Sequence, residues 1–235
     1  MPVRGGRGQG PTTGPGERRR GPGLPRDVVA EVLRAAPGPE GGRLAQRLTD
    51  AARSLERDRV IDAVRVSRPL ARRLPDVAAV RELAGVALYR SGRWAEAARH
   101  LEAFAALSGS VDQLPALADC WRALGRYERV DALWEELRRT SPAPGVLAEG
   151  RIVAAGAKAD RGDLLAAIRL LERAPDPRRG GVREHHVRTW YALADLYERV
   201  GDVPRARELF GRVVATEPAL ADAAERLDAL GAGES

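Results

Sequence analysis

Residues 187–218 read VRTWYALADLYERVGDVPRARELFGRVVATEP, and this stretch decides the fold. Two helix-length segments with apolar residues three or four positions apart are separated by Gly201, and Pro218 follows the second segment. Apolar residues at this spacing predict amphipathic helices, and a glycine between them predicts a tight turn. The stretch therefore predicts two antiparallel helices joined by a short connection.

The same pattern recurs along the chain. Four glycines each end one helical segment and precede another, at spacings of 33, 37 and 39 residues: Gly92, Gly125, Gly162 and Gly201. Small residues lie seven positions before and five positions after each glycine: Gly85, Ala118, Ala155 and Ala194, then Ala97, Val130, Ala167 and Ala206. Large apolar residues lie nine positions after: Leu101, Trp134, Leu171 and Phe210. We expect the small residues where helices cross closely and the large ones in the gaps beside them.

This arrangement resembles the tetratricopeptide repeat family, whose unit of about 34 residues is a pair of antiparallel helices. The best copy comprises Trp190, Leu193, Ala194, Tyr197, Gly201, Ala206, Phe210, Val213 and Pro218, and the next Leu114, Leu117, Ala118, Trp121, Gly125, Tyr127, Val130, Trp134, Leu137 and Pro142. An earlier copy fits at Ala51, Asp58, Val60, Ala63, Leu70 and Pro75. There Asp58 replaces the turn glycine, and Pro69 is expected to interrupt the second helix. The resemblance covers roughly residues 44–231 and implies an all-α solenoid, a right-handed superhelix of helix pairs.

The sequence predicts three parts. Residues 1–26 are rich in Arg, Gly and Pro and are expected to be disordered. Residues 27–43 are expected to hold a helix capped by Asp27 and ended by Pro37, and then a loop at 37–42. Repeats are expected at about 44–77, 78–110, 111–144, 148–181 and 187–220, with a capping helix at 220–230 and exposed loops at 142–145 and 175–181. On the capping helix, four charged residues are expected to face outward: Asp222, Glu225, Arg226 and Asp228.

The positive charge is concentrated at the N-terminus. The whole chain carries +6, while residues 1–26 hold six arginines and one glutamate, so the remainder carries only +1. RGGRGQG and the three consecutive arginines Arg18–Arg20 resemble a weak RGG-type segment, although no aromatic residue is interleaved for stacking on bases. Nucleic-acid association through this segment is therefore the alternative to protein binding.

Composition indicates the origin and the compartment. All but one of the 39 basic residues are arginines, and asparagine is absent, which is typical of a GC-rich, actinobacterial-like genome. The single Cys120 excludes an intrachain disulfide framework. Neither a run of 18 apolar residues nor a signal peptide is recognisable, so we expect a cytoplasmic protein that does not bind a membrane.

The sequence predicts no catalytic, cofactor or metal site. His185 and His186 are adjacent, so on a helix they point about 100° apart, while His100 is alone on its helix and is expected to be a surface residue. Cys120 has no neighbouring histidine and is expected to be a buried small apolar residue. Neither a nucleophile elbow nor a phosphate-binding loop is present. We therefore expect a protein that is not an enzyme.

In the family that the chain resembles, partners bind on the concave face formed by the first helix of each pair. The candidate groove residues are those on that face that are not needed for packing between helices: Glu82, Tyr89, Arg90, Asp119, Arg122, Glu149, Arg188, Tyr191, Asp195 and Arg199. Tyr191 with Arg188 and Arg199 is the best candidate pocket for an acidic or extended peptide, since tyrosine and arginine are typical of binding hot spots.

Three further hypotheses concern how the chain interacts, the first two on this face and the third through a sheltered hydrophobic face or the solenoid ends. A chaperone-adaptor role is disfavoured, because members with that role grip a C-terminal carboxylate with Lys and Asn. This chain lacks asparagine, and Lys158 lies at a packing position. The second hypothesis is a solvated face with internal ion pairs, and the third is self-association of the chain. The sequence predicts a protein-binding scaffold and does not name its partner.

Overall fold

The structure, a computed structural model, describes residues 24–177 and 181–232. The regular structure in these ranges is helical, which confirms the predicted all-α fold. The helices are α1 (Arg26–Ala35), α2 (Pro39–Glu56), α3 (Val60–Arg73), α4 (Ala78–Arg90), α5 (Trp94–Ser108), α6 (Leu114–Ala123), α7 (Tyr127–Thr140), α8 (Pro144–Asp160), α9 (Leu164–Glu172), α10 (Glu184–Arg199), α11 (Val203–Thr216) and α12 (Ala223–Ala232). Within the described ranges, no helix has the length and apolar character needed to cross a membrane.

The chain divides into two compact units, and the division falls within α8, between residues 154 and 155. In the first unit, each helix from α1 to α7 packs against the next one along the chain. In the second unit, α9 packs on α10, α10 on α11 and α11 on α12. This neighbour-to-neighbour packing is what a helical repeat requires, since each helix pair buries its apolar face against the adjacent pair.

The glycine turns have the conformation that their spacing predicts. The φ angles of Gly92 and Gly125 in the first unit are 74° and 69°, and those of Gly162 and Gly201 in the second are 87° and 80°. Asp58, which replaces the turn glycine in the earliest copy, has a φ of 58°. The left-handed region strongly favours glycine because it has no Cβ, and Asp is one of the few other residues that enter it. The left-handed turn is therefore present in the earliest copy although aspartate replaces glycine there.

The predicted packing positions are buried within each unit. In the first unit, Ala97 and Val130 are fully buried, and Leu101 is 1% exposed. A Cβ added to Gly85 would lie 2.6 Å from Leu101 Cδ2, so only glycine allows α4 and α5 to approach this closely. In the second unit the corresponding small residues are buried as well: Ala155, Ala167, Ala194 and Ala206.

Helix α1 closes one end of the first unit's core. Val32 is fully buried and packs with residues of α2, α3 and α4 in one apolar cluster. Glu31 Oε1 accepts a hydrogen bond of 3.1 Å from the backbone N–H of Ala78, which is at the start of α4. A carboxylate at this place satisfies a free N–H and complements the helix dipole. α1 is therefore an integral part of this unit.

Several predicted boundaries near the N-terminus are corrected. α1 begins at Arg26, so Asp27 lies in its first turn and does not cap it, and most of the expected disordered segment lies outside the described residues. α2 begins at Pro39 within the expected loop, because proline at the first helical position loses no hydrogen bond. α3 continues through Pro69, since buried Leu70 and Ala71 hold that turn against the core.

The expected loops between repeats also differ. α8 begins at Pro144, and Gly145 is buried within it, so the helix starts inside the segment expected as an exposed loop at 142–145. Of the loop expected at 175–181, the described residues 175–177 and 181 lie outside helices. The other residues of that loop lie outside the described ranges.

Candidate functional site

In the first unit, the candidate groove residues of α4 and α6 form a hydrogen-bonded chain. The hydroxyl of Tyr89 donates to Asp119 Oδ2 at 2.8 Å, and Arg122 Nε donates to Asp119 Oδ1, also at 2.8 Å. Burial, followed by the charge of Asp119, raises the pKa of Tyr89 well above its usual value near 10. Tyr89 is only 7% exposed, so its hydroxyl holds Asp119 in place while its ring offers little surface to a ligand.

Two other candidate residues of α4 are tied to neighbouring helices. Glu82 Oε1 accepts a hydrogen bond of 3.0 Å from the side-chain amide of Gln113, at the start of α6. Arg90 donates to the carbonyl oxygen of Leu55 at 3.0 Å and to Asp58 Oδ1 at 2.6 Å. Arg90 therefore fastens the α2–α3 turn, whereas Glu82 stays half-exposed on the face shared by α4 and α6. Glu149 on α8 is half-buried and adds a negative charge that acts on Tyr89.

In the second unit, α12 and the residue before it, Asp222, contact candidate residues of α10. The hydroxyl of Tyr191 donates to Asp222 Oδ1 at 2.5 Å. Arg226 donates to Asp195 Oδ1 at 2.9 Å and to Glu198 Oε2 at 2.8 Å. Burial together with the bond to Asp222 raises the pKa of Tyr191. Of the three residues that the sequence assigns to an open pocket, Tyr191 is thus the one contacted by Asp222 and by Arg226 of α12.

The predicted outward orientation of one α12 residue, Arg226, is corrected. The side chain of Arg226 is only 19% exposed, with its Cζ 4.6 Å from the centre of the Phe210 ring on α11. Asp222, which precedes α12, is exposed as expected and also accepts a hydrogen bond from Tyr191 of α10. Glu225 and Asp228 are exposed, as expected of a solvating helix. Sequence periodicity missed this cluster because it treats α12 as a surface helix, although Asp222 and Arg226 are one helical turn apart.

The three residues of the predicted pocket have different neighbours. Arg188 is 14% exposed, and its Nη1 lies 3.9 Å from Glu184 Oε1. Arg199 is 44% exposed, and its Nη1 lies 3.6 Å from Asp195 Oδ2. Tyr191 contacts α12 and packs edge-on against Phe210, with ring centres 5.7 Å apart. Arg199 is therefore the more accessible of the two arginines.

A shallow cleft in the second unit was not predicted from the sequence. It has a volume of about 400 Å³ and is lined by Val182, Arg183, Glu184, Val187, Arg188, Thr216, Glu217 and Leu220. Most of these residues lie at helix ends and in connections, where helical periodicity carries no signal. The cleft combines three aliphatic side chains with two arginines and two glutamates, so its formal charge is balanced.

The structure shows how the residues considered for chemistry are used. Among the described residues, no group of three or more His, Cys, Asp or Glu is arranged to hold a metal ion. Burial raises the pKa of Cys120 to about 12, so its thiol stays protonated at neutral pH. His100 is half-buried, with Nδ1 3.2 Å from Arg81 Nη1, and is not the isolated surface residue that was expected.

Comparison with known proteins supports the repeat. Residues 189–224, which span most of α10, all of α11 and the start of α12, match the family model described as the tetratricopeptide repeat. A thermophilic TPR protein from Thermus thermophilus has a similar structure, with a TM-score of 0.62 over 80% of this chain and 98% of that chain. The two are 16% identical in sequence, so this similarity shows the fold alone. The predicted TPR-like fold is confirmed.

A second solved structure is less similar. The TPR domain of P58(IPK) gives a TM-score of 0.39 and 18% identity, over 88% of this chain and 64% of that chain. No curated protein matches the chain significantly. The family match over residues 189–224 and the similar fold support a tetratricopeptide type of repeat, and they do not address binding specificity.

Proposed function

We propose that this protein is a non-catalytic scaffold that binds a peptide or protein segment on the face formed by the first helices of its repeats. The observation that carries the proposal is the pair of hydrogen bonds between α4 and α6, Tyr89 to Asp119 and Gln113 to Glu82. They join two first helices side by side into one polar face. Helical repeats use faces of this kind to bind extended partners.

The accessible charges of this face define what a partner can contact. In the first unit, Glu82, Arg122 and Glu149 are half-exposed, and in the second unit Arg199 is exposed. Tyr89 and Arg90 contribute indirectly, because the first is buried and the second holds the α2–α3 turn. Charged groups on such a face select partners and set the association rate, more than they add affinity. We further propose that the scaffold acts in the cytoplasm of the bacterium.

Affinity capture from a GC-rich actinobacterium, followed by titration of the purified partner, tests this proposal. The groove variant combines Glu82→Arg with Arg122→Glu, both in the first unit, which leaves the net charge unchanged. The matched control combines Glu135→Arg with Arg138→Glu, an exposed ion pair on α7, and also leaves the net charge unchanged. We expect the groove variant to weaken binding by about tenfold and the control by less than about twofold. Equal affinities of the two variants for the partner would refute the assigned face.

A further inference from the structure

The face of the second unit that α12 covers has the composition of a binding site. We define the α12 seat as Tyr191, Asp195 and Glu198 of α10 together with Phe210 of α11. We propose that the α12 seat binds an arginine-bearing helix of a partner protein, and that α12 occupies it until the partner displaces it. This inference rests on the proposed function and specifies the chemistry of the partner.

The geometry of the seat fits a guanidinium. Arg226 Nη2 lies 2.9 Å from Asp195 Oδ1, its Nε lies 2.8 Å from Glu198 Oε2, and its Nη1 lies 3.4 Å from the hydroxyl oxygen of Tyr191. The ring of Phe210 covers one side of the group, 4.6 Å from Cζ. Arginine presents several donors in a fixed plane that also stacks on rings, whereas a lysine ammonium is a compact point charge. The seat is therefore selective for arginine over lysine.

An uncovered seat would need a new cation. Asp195 and Glu198 both bond to Arg226, so its departure leaves Glu198 without this guanidinium and leaves Asp195 with the longer pair to Arg199, whose Nη1 lies 3.6 Å from Asp195 Oδ2. Like charges at this spacing on a helix repel each other, and partly buried carboxylates without a cation are costly. A helix that brings its own arginine restores these interactions, whereas an apolar helix does not.

The attachment of α12 is largely polar. Among its side chains that the structure describes, at positions 223–231, only Ala223 is buried, and Leu227 and Leu230 are half-exposed. Helix stability in proteins comes mainly from burying an apolar face, and α12 buries little of one. A competing helix therefore has to replace chiefly the contacts made by Asp222 and Arg226.

The connection before α12 favours its release. Residues 217–222 lie between α11 and α12, and all but Leu220 are exposed. Ala221 has a φ of 50°, in the left-handed region that costs a residue with a Cβ about 1 kcal/mol or more. This strain is relieved when the connection opens. Strained short connections are also the places where terminal elements exchange between molecules.

α12 itself indicates what the partner helix carries. Asp222 accepts from Tyr191, and Arg226, four residues later, enters the acidic part of the seat. Two small residues, Ala223 and Ala224, follow the aspartate and allow close approach. The expected partner motif is Asp-Ala-Ala-x-Arg, or a close variant with small residues between the two polar ones, on one face of a helix.

A peptide titration with the full chain tests the inference. The probe is a fluorescent peptide of residues 221–232, ADAAERLDALGA, with blocked ends, and the protein carries Arg226→Ala so that its own α12 binds the seat less tightly. We expect this peptide to bind at least about tenfold more tightly than matched peptides with alanine or lysine in place of the arginine. Equal affinity for the three peptides would overturn the inference.

Substitutions in the seat show where the peptide binds. Adding Asp195→Asn and Glu198→Gln to the Arg226→Ala chain removes the charges and keeps the shapes, so the preference for the arginine peptide should disappear. The matched control adds Asp131→Asn and Glu135→Gln on α7 and should keep the preference. A preference that survives the seat substitutions would place the peptide elsewhere and overturn the inference.

Hydrogen exchange on the wild-type chain provides a measurement that does not depend on any variant folding. Excess wild-type peptide should speed the exchange of α12 amides, and the alanine peptide should not. Unchanged exchange at a peptide concentration of about 1 mM, together with no peptide binding by the Arg226→Ala chain, would overturn the inference. A concentration-dependent dimer that the peptide dissociates would assign the seat to a second copy of the chain and so contradict a separate partner.

These outcomes are separable from those of the proposed function. The peptide experiment uses only the α12 seat of the second unit, whereas the test of the scaffold uses Glu82 and Arg122 of the first unit. If the captured partner binds the groove variant more weakly but the seat does not bind the arginine peptide, the scaffold proposal is supported and the seat is refuted. If instead the seat binds the peptide and the groove variant binds the captured partner as tightly as the wild type, the seat is supported and the assigned groove is refuted.

Discussion

Arg90 of α4 fastens the turn that Asp58 makes between α2 and α3. The guanidinium donates to Asp58 Oδ1 at 2.6 Å and to the carbonyl oxygen of Leu55 at 3.0 Å. Asp58 occupies the left-handed region, where four other turns between paired helices use Gly92, Gly125, Gly162 and Gly201. The side chain that makes this turn strained thus also supplies the acceptor that ties it to the next helix pair.

The two roles of Asp58 can be separated by substitution. Asp58→Gly relieves the left-handed strain and loses the ion pair, and since Asp58 is 83% exposed that pair is worth about 1 kcal/mol or less. Asp58→Ala loses the pair and keeps the strain, so the free energy of unfolding should be about 1 kcal/mol lower than in Asp58→Gly. Urea unfolding of both variants measures this difference. Equal stability of the two variants would mean that the left-handed conformation costs nothing here.

A close helix crossing predicts the effect of adding one methyl group. In Gly85→Ala the new Cβ would lie 2.6 Å from Leu101 Cδ2 and 3.3 Å from the Leu101 backbone nitrogen, so α4 and α5 must separate. We expect the free energy of unfolding to fall by about 1–3 kcal/mol. Gly211→Ala in α11 is the matched control, because a Cβ there meets nothing within 4 Å, and it should stabilise by about 0.5–1 kcal/mol. Thermal unfolding of both variants checks the opposite signs.

The packing positions could be predicted from the sequence because repetition and steric exclusion act together. Ala97 and Ala206 recur five residues after a turn glycine, and both are fully buried. A larger side chain at such a crossing would force the helices apart, so the sequence pattern directly records the geometry. Phe210, fully buried, follows from the same spacing. The all-α repeat fold could therefore be predicted from the spacing of small and large residues.

The polar contacts could not be predicted in this way. Arg226 was expected on an outer surface, yet it binds Asp195 and Glu198, residues about thirty positions earlier in the chain. Long charged side chains choose partners by their position in three dimensions, and helical periodicity says nothing about that choice. Tyr89, on the predicted inner face, is likewise buried against Asp119. The assignment of partner-binding residues therefore stays a proposal.

The start of α10 predicts an acid-sensitive stability. His186 Nδ1 accepts a hydrogen bond of 3.0 Å from the backbone N–H of Arg183, which requires the neutral ring. Burial and, next, the charge of Arg183 lower the pKa of His186, and burial with the charge of His186 lowers that of His185. In the folded state both groups therefore hold protons less tightly than their usual value near 6.5 implies.

The sign of the pH effect follows from these lowered pKa values. As the pH falls below about 6.5, the unfolded chain takes up protons before the folded chain does, so the free energy of unfolding decreases. In His186→Gln the amide oxygen can still accept from Arg183, and the group does not titrate. Urea unfolding between about pH 7.5 and pH 5 should show a smaller decrease for this variant than for the wild type. An identical decrease would exclude His186 as a source of the acid sensitivity.

Tyr89 predicts a loss of stability in alkali. Tyr89→Phe removes the donor to Asp119 Oδ2 and should lower the free energy of unfolding by about 1–2 kcal/mol at pH 7. The pKa of Tyr89 is raised in the folded state, so above about pH 10 the unfolded chain releases the proton first and the wild type loses stability. The phenylalanine variant has no hydroxyl to titrate at this position, so the difference in free energy of unfolding between the two proteins should become smaller as the pH rises. A difference that is constant from pH 7 upward would contradict the raised pKa.

The alternative of nucleic-acid binding makes a prediction about salt. Deleting residues 1–23 removes five arginines and one glutamate and leaves α1, which begins at Arg26, intact. If these arginines contact phosphates, the logarithm of the affinity for nonspecific duplex DNA should fall against the logarithm of salt with a slope of up to about −4.5, and the deletion should abolish this dependence.

A substitution in the full chain separates charge from chain length. Replacing Arg18–Arg20 by glutamine keeps the length and should reduce the slope by about 2.7, because each phosphate contact contributes about 0.9. The matched control replaces three arginines of the folded part, Arg65, Arg129 and Arg138, which are exposed and paired with carboxylates. Removing these should leave the slope unchanged, because their charge is already balanced locally. The deletion, the Arg18–Arg20 substitution and the control are compared with the wild type. If all three bind DNA as the wild type does, the N-terminal arginines take no part in binding, and nucleic-acid association through this segment is refuted.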